Sequence, residues 1–262
     1  MSPASIRPLL DKIISPLYLL KEELTYHSLP AGRASLARLG ELRDCHQGAR
    51  CFIIGNGPSL QKTDLTRLRD EYTFGLNRIY LLFPQLGFST TFLVTVNQLV
   101  VEQCVDEILS VPSHKFLPWS LRKKLKSSLH PDPIFFRGDR SGGGFTTDAR
   151  HPLWQGATVT YIAMQLAYHM GFEHVILVGV DHSFITQGKP NTEIVSQGDD
   201  PNHFSAEYFG KGFHWQLPDL ETSEIAYHMA RRAFEADGRE IVDATIGGKL
   251  TVFPKADYSS LF

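Results

Sequence analysis

Two groups of residues in this sequence have the types and spacing to do chemistry. The first is Gly55-Asn56-Gly57-Pro58-Ser59, which follows the apolar run Cys51-Phe52-Ile53-Ile54. Gly55 and Gly57 can take positive φ and let another molecule approach the backbone. Pro58 suits the first position of a helix, and Ser59 offers a hydroxyl at the same mouth. Free N–H groups there, with the positive end of a helix dipole, favour a phosphate. Amphipathic, helix-like sequence follows. The spacing therefore predicts a strand, a glycine-rich loop under a ligand, and a helix start. A tight strand-to-helix turn without a ligand has the same outline, and Asn56 is the residue that speaks for the ligand.

The second group is the stretch from Asp200 to Trp215, which carries His203, Tyr208, Lys211 and His214 among aromatics, carboxylates and two glycines. Such a loop can close over a substrate and exclude water. A histidine titrates near neutral pH, so it can take the proton of an attacking hydroxyl, which contributes about 10²–10⁴-fold. Lys211 can neutralise charge on a phosphate leaving group. His182 is a third histidine for the same work. The competing reading is an ordered surface loop anchored by its aromatics.

The elements that must position these residues follow from the pattern around them. Apolar runs predict strands at 51–55, 72–76, 92–96, 115–117, 134–137 and 174–180. The last, Val175-Ile176-Leu177-Val178-Gly179-Val180, is apolar throughout, as a strand covered on both faces should be. A buried helix is predicted at 158–172 with Gly171 as its C-terminal stop. An amphipathic helix at 220–236 ends before Gly238, and a short strand follows at 239–243. Beyond it, Gly247-Gly248 marks a close backbone approach, to the site or to a neighbouring chain, and 258–262 is expected to dock on the domain. Ser141-Gly142-Gly143-Gly144 reads as a mobile loop or a spacer.

The fold class is α/β, a Rossmann-like, mostly parallel sheet flanked by helices, spanning 47–262. An N-terminal helical extension covers 1–46. In it Ile6, Leu9, Leu10, Ile13 and Ile14 recur at helical spacing before Pro16, and a second helical stretch runs over 34–42. The extension can pack on the main domain, pair with a second copy in a homo-oligomer, or touch a membrane surface.

Asn77, Asn97 and Asp181 follow predicted strands, where a parallel sheet puts its ligands. With Asn56 they make four polar side chains at four strand ends. Any one alone is better read as a helix cap. Four together point to a polar cleft for a nucleotide's base, ribose and phosphate, because carboxamides both donate and accept.

Composition sets the outer bounds. The 262 residues are 42% hydrophobic and 21% charged, enough for a sizeable core. A formal net charge of −2 argues against a general nucleic-acid binder. Cys45, Cys51 and Cys104 lack metal-ligand spacing. An odd cysteine count without a secretory leader suggests a reducing, cytoplasmic compartment. No apolar run approaches the roughly 20 residues a transmembrane helix needs.

The order of Gly55-Asn56-Gly57-Pro58-Ser59-Leu60, Phe74-Gly75-Leu76-Asn77-Arg78, Gly156-Ala157-Thr158-Val159 and Gly179-Val180-Asp181-His182-Ser183-Phe184 resembles the MptE-like family over roughly 50–262. That family is named for archaeal 6-hydroxymethylpterin diphosphokinases, and its relatives include flagellin-modifying glycosyltransferases. The first element also resembles the opening of bacterial CMP-sialic-acid-dependent sialyltransferases of glycosyltransferase family 42. The resemblance implies that Asn56, Asn77 and Asn97 line a CMP site and that Gly156 starts the helix behind the cytidine. Together with Gly55, Gly57, Pro58, Ser59, Thr158, Asp181 and His182 these make up the candidate nucleotide site. The sialyltransferases carry their general-base histidine in a Tyr-x-Gly-His segment. Here that segment is Tyr208-Phe209-Gly210-Lys211, with His203 and His214 on either side. The tyrosine after the strand-end Asp is replaced by Ser183 or Phe184.

Asp181, His182 and His203 are candidates to hold Mg²⁺, as in nucleotide diphosphokinases, although no DxD pair is present. Three functions stay open. A nucleotide-dependent transferase leads, using a CMP-sugar-like sugar-nucleotide donor and an unidentified acceptor. Pyrophosphoryl transfer from ATP to a pterin-like alcohol is the second, and a catalytically silent nucleotide-binding protein the third.

Overall fold

The computed structural model describes residues 17, 19–125, 133–139, 142–186 and 188–262. Along the chain come helices α1 (19–28) and α2 (Pro30–Leu42), then strands β1 (Arg50–Ile54) and β2 (Tyr72–Leu76). A one-turn helix α3 (Phe83–Leu86), β3 (Phe92–Val94), helix α4 (Gln98–Ser110), β4 (His114–Pro118) and β5 (Ile134–Phe136) follow. Next are the short β6 (Gly138–Asp139) and β7 (Leu153–Trp154), helix α5 (Val159–His169) and β8 (His174–Val178). The chain continues through β9 (Glu193–Val195), β10 (His214–Gln216), helix α6 (Leu220–Ala236) and β11 (Glu240–Asp243).

The six strands expected from apolar runs and the short strand expected at 239–243 all form, and the seven join in one sheet of order β11-β8-β1-β2-β3-β4-β5. All its neighbours pair in parallel. β8 stops two residues before its apolar run does, because Gly179 turns the chain with φ +71°. The strand order reverses between β1 and β8. There the chain first steps outward to β2 and later returns to the other side of β1, and this is where open α/β sheets bind ligands.

Alternation along the strands divides the core into two layers. Cys51, Ile53, Phe74, Leu76, Val175 and Leu177 face α5 and α6. Phe52, Ile54, Leu93, Ile176 and Val178 face α4 and the aromatics of the 204–217 segment. α5 is buried from Thr160 to His169, as expected of a buried helix. No helix was read at 98–110, yet α4 buries Val100, Val101, Cys104, Val105 and Ile108. The helix expected after Ser59 is absent. Two 3₁₀ turns, Pro58–Lys62 and Leu65–Leu68, stand in its place.

Of the fates open to the N-terminal segment, packing on the sheet describes α1 and α2. Tyr26 is fully buried and donates its phenol hydrogen to Phe135 O at 2.7 Å. Ser35 Oγ accepts the Phe135 N–H at 3.0 Å. The two helices thus cover the edge strand β5, which would otherwise offer unpaired backbone. The periodicity read at 6–14 lies outside the described residues. At the other end Tyr258 donates to Asp64 O at 2.8 Å, and Phe262 stacks on Phe52, which docks 258–262 as expected. No helix of the described residues is long and apolar enough to cross a membrane.

Candidate functional site

A cleft of about 840 Å³ opens at the carboxyl ends of β1, β2, β3 and β8. Gly55, Asn56, Gly57, Asn77, Asn97, Gly156, Thr158, Asp181 and His182 line it, together with His203 and Tyr208. Pro58, Ser59, Lys211 and His214 do not. Leu19, Glu22 and Glu23 of α1 form part of its wall. Among the described residues six non-glycine residues have positive φ, and four of them (Asn77, Ala157, His182 and Asn191) line the cleft. Such conformations cost energy and concentrate at functional sites.

The strand-end asparagines divide into two kinds. Asn97 Oδ1 accepts the N–H groups of Leu99 (2.9 Å) and Val100 (3.3 Å), so it is the N-cap of α4. Thr158 Oγ1 caps α5 by accepting the Thr160 N–H at 3.3 Å. Asn56 and Asn77 are different. Asn56 donates from Nδ2 to Leu76 O at 3.0 Å, and its carbonyl accepts the Phe204 N–H at 2.9 Å. Asn77 holds φ +46° and donates its N–H to Val94 O at 2.9 Å. Among the described residues no group donates to Oδ1 of either asparagine, and both atoms are buried.

The glycine-rich loop works otherwise than expected. Gly57 has φ −69°, and neither Gly55 nor Gly57 is in the left-handed region. What demands glycine is the neighbouring strand end. A Cβ on Gly55 would sit 2.3 Å from Gly179 O, and one on Gly57 only 1.8 Å from Asp181 Oδ2. The N–H groups at the loop are also engaged. Gly57 donates to Gly179 O at 2.9 Å, and Ser59 donates its N–H (3.1 Å) and hydroxyl (2.6 Å) to the Asp181 carboxylate. Asp181 thus occupies the position read as a phosphate seat. Its own carbonyl accepts the Lys249 N–H at 2.8 Å, so the Gly247-Gly248 turn approaches the site. Gly156 lacks a side chain because a Cβ would lie 2.4 Å from Ala226 Cβ of α6.

Two histidines face the cleft, each on a carboxylate. His203 Nδ1 lies 2.6 Å from Asp200 Oδ2, whose carboxylate side chain is only 3% exposed. Asp200 Oδ1 accepts the Asn202 N–H at 2.9 Å. A carboxylate there holds the proton on Nδ1 and leaves the Nε2 lone pair for proton uptake. His182, with φ +52°, has Nε2 at 2.9 Å from Glu224 Oε1 of α6. The pairs flank the glycine loop: Phe204, beside His203, bonds Asn56, and Asp181, beside His182, bonds Ser59.

The other loop residues have different tasks. Tyr208 is buried, and burial pushes its phenol well above the usual range, so it is no proton donor near neutrality. Its ring lies under His203, with centroids 4.0 Å apart and planes 8° from parallel. His214 belongs to β10. Gln103 of α4 brackets its backbone at 2.9 and 2.8 Å, and its ring turns outward to Glu193 at 2.8 Å. Lys211 is exposed beside Phe213 and Glu107 in a separate shallow pocket.

Among the described residues no group of three or more His, Cys, Asp and Glu is arranged to hold a metal ion. Asp181, His182 and His203, the candidates to hold Mg²⁺, are not gathered into such a group; each bonds a partner of its own, Ser59, Glu224 and Asp200. Sequence reasoning missed Asp200 as the partner of His203, although the Asp200-x-x-His203 spacing was there to find. It also missed Glu224, which carries no local signal because it lies on α6, far along the chain from His182.

The fold is similar to the solved MAf glycosyltransferase from Magnetospirillum magneticum AMB-1, with a TM-score of 0.51 over 88% of this chain at 14% identity. The chain spans 39% of that protein's length, and at that identity the likeness is one of fold. No curated protein matches the sequence. A family model described as 6-hydroxymethylpterin diphosphokinase MptE-like matches residues 27–187, more than half of the chain. The glycine-rich loop, the strand-end asparagines and the β8 end that meets them all lie inside that match, and the chain belongs to the MptE-like family.

Proposed function

We propose that this protein transfers a glycosyl group from a sugar nucleotide, CMP-sugar-like, to a hydroxyl acceptor, with His203 as the base. Family membership supports the coarser statement, a nucleotide-related transferase. One observation carries the finer reading: His203, held by the buried Asp200, opens onto the same cleft as the two unpaired carboxamide oxygens of Asn56 and Asn77. Buried acceptors of this kind cost about 1–3 kcal/mol each when left unmet. Ribose hydroxyls and exocyclic amino groups are the donors that suit them. The acceptor hydroxyl gives its proton to Nε2 of His203 as its oxygen bonds the anomeric carbon. The bond from that carbon to the donor phosphate breaks, and the nucleotide leaves with the electron pair.

The same base and cleft also suit pyrophosphoryl transfer from ATP to a pterin-like alcohol, which the description of the family favours. A silent nucleotide-binding protein is the third reading. Incubation with CMP-sugars, with UDP-sugars, and with ATP plus 6-hydroxymethyl-7,8-dihydropterin separates them. Release of CMP or UDP supports glycosyl transfer, and release of AMP supports the diphosphokinase. Binding without release supports the silent protein. Failure of every nucleotide to bind overturns all three.

A further inference from the structure

We infer that Arg78 is a positioning residue that fixes the ring of His203 through Tyr208, an inference that rests on His203 being the base. Arg78 follows Asn77 at the end of β2 and is 8% exposed, yet it does not line the cleft. It grips Tyr208 at both ends. Its N–H donates to the Tyr208 phenol oxygen at 3.4 Å, and its guanidinium donates to the Tyr208 carbonyl. The guanidinium also lies over the Phe213 ring, 5.2 Å from its centroid, and donates to Tyr80 and Glu107 at 3.4 Å each.

Tyr208 in turn sets the plane of His203. The two rings are nearly parallel at 4.0 Å, and Phe209 closes the edge at 4.8 Å. Asp200 fixes which nitrogen carries the proton, but one hydrogen bond leaves the ring free to swing about it. The stack removes that freedom, and Arg78 holds the stack. Lysine cannot reproduce this. Its compact ammonium cannot lie flat on Phe213 while reaching a carbonyl and a carboxylate, as a planar fork can. Because Asn77 and Arg78 are adjacent, the donor end of the cleft and the base share one short rigid segment.

The test uses the whole protein and begins without substrate. Long-range ¹H–¹⁵N spectra of histidine-labelled protein should show His203 as a single tautomer, protonated at Nδ1. Arg78→Met should convert that signal to exchange between tautomers or ring positions, with CMP affinity changed less than about threefold. Arg78→Lys, the gentler variant if Arg78→Met does not fold, should shift the signal part of the way. Where a turnover is found, Arg78→Met should lower it on the order of 10- to 100-fold, and it should cause no further loss in a His203→Ala background. An unchanged His203 signal in the variants, or losses that multiply in the double variant, overturns the inference. His203→Ala alone with full turnover would instead defeat the base assignment, and it leaves the spectroscopic result to stand or fall separately.

Discussion

Replacing Asp200 by asparagine tests the centre of the proposed chemistry. The carboxylate serves two donors at once, His203 Nδ1–H at 2.6 Å and Asn202 N–H at 2.9 Å, each on its own oxygen. A carboxamide of the same shape has one oxygen and one NH₂. If its oxygen keeps Asn202, its NH₂ faces His203, and Nδ1 must become an acceptor. The ring proton then moves to Nε2, the atom that has to take the proton of the attacking hydroxyl. If its oxygen keeps His203, the Asn202 N–H faces NH₂ in a buried place, which costs about 1–3 kcal/mol. Either way a charge-assisted bond worth about 1.5–3 kcal/mol is lost. General-base catalysis contributes about 10²–10⁴-fold, and the tautomer switch removes most of it. Single-turnover release of nucleotide should therefore fall on the order of 10²–10⁴-fold in Asp200→Asn. CMP affinity, read by calorimetry, should stay within about threefold, because Asn56 and Asn77 are untouched. A folded variant that binds CMP and turns over within about threefold of the parent would refute the reasoning.

Three further outcomes follow from the geometry. Lys211→Ala and His214→Ala should each leave turnover within about twofold, because neither residue lines the cleft; a loss of an order of magnitude in steady-state rate would return them to the site. Gly57→Ala should lower stability in urea by about 1–3 kcal/mol, since its Cβ would fall 1.8 Å from Asp181 Oδ2 and push that carboxylate off Ser59. An unchanged midpoint would mean the loop yields freely. His169 is fully buried, with Nδ1 accepting the Ala149 N–H at 3.2 Å and Nε2 at 2.7 Å from Leu39 O, and burial lowers its pKa. The unfolded chain therefore binds the proton more readily, so stability is complete above about pH 6.5 and falls as the pH drops below that value. Urea unfolding between pH 7.5 and 5.5 should show this decline, with a shallower slope in His169→Gln; equal slopes would remove His169 as its source.

Much of the framework could be read from one sequence because strand formation and helix capping are local. Apolar runs such as Val175-Ile176-Leu177-Val178 have few ways to be buried other than in a covered sheet, and they became β8. α6 matched its predicted limits because its apolar periodicity, an N-terminal Asp219 and a following Gly238 all agree. The polar residues at strand ends reached the cleft for the same reason: a parallel sheet sends every strand's carboxyl end to one edge.

Tertiary structure decided what those residues do there. Only the placement of β8 against β1 brings Asp181 to Gly57 and Ser59, which turns an apparent phosphate seat into an internal hydrogen bond. His203 and His214 stand in one dense loop and look equivalent in sequence. The first is half-buried beside the buried Asp200, while Gln103 of α4 clamps the backbone of the second and leaves its ring in solvent. Tyr208 and Lys211 separate likewise, one into the core under His203 and the other outward. Composition and spacing determine which chemical groups are available along this chain. Which of them share a cavity depends on strand order and on contacts between residues a hundred or more positions apart, such as Gln103 with His214, and no local pattern encodes those.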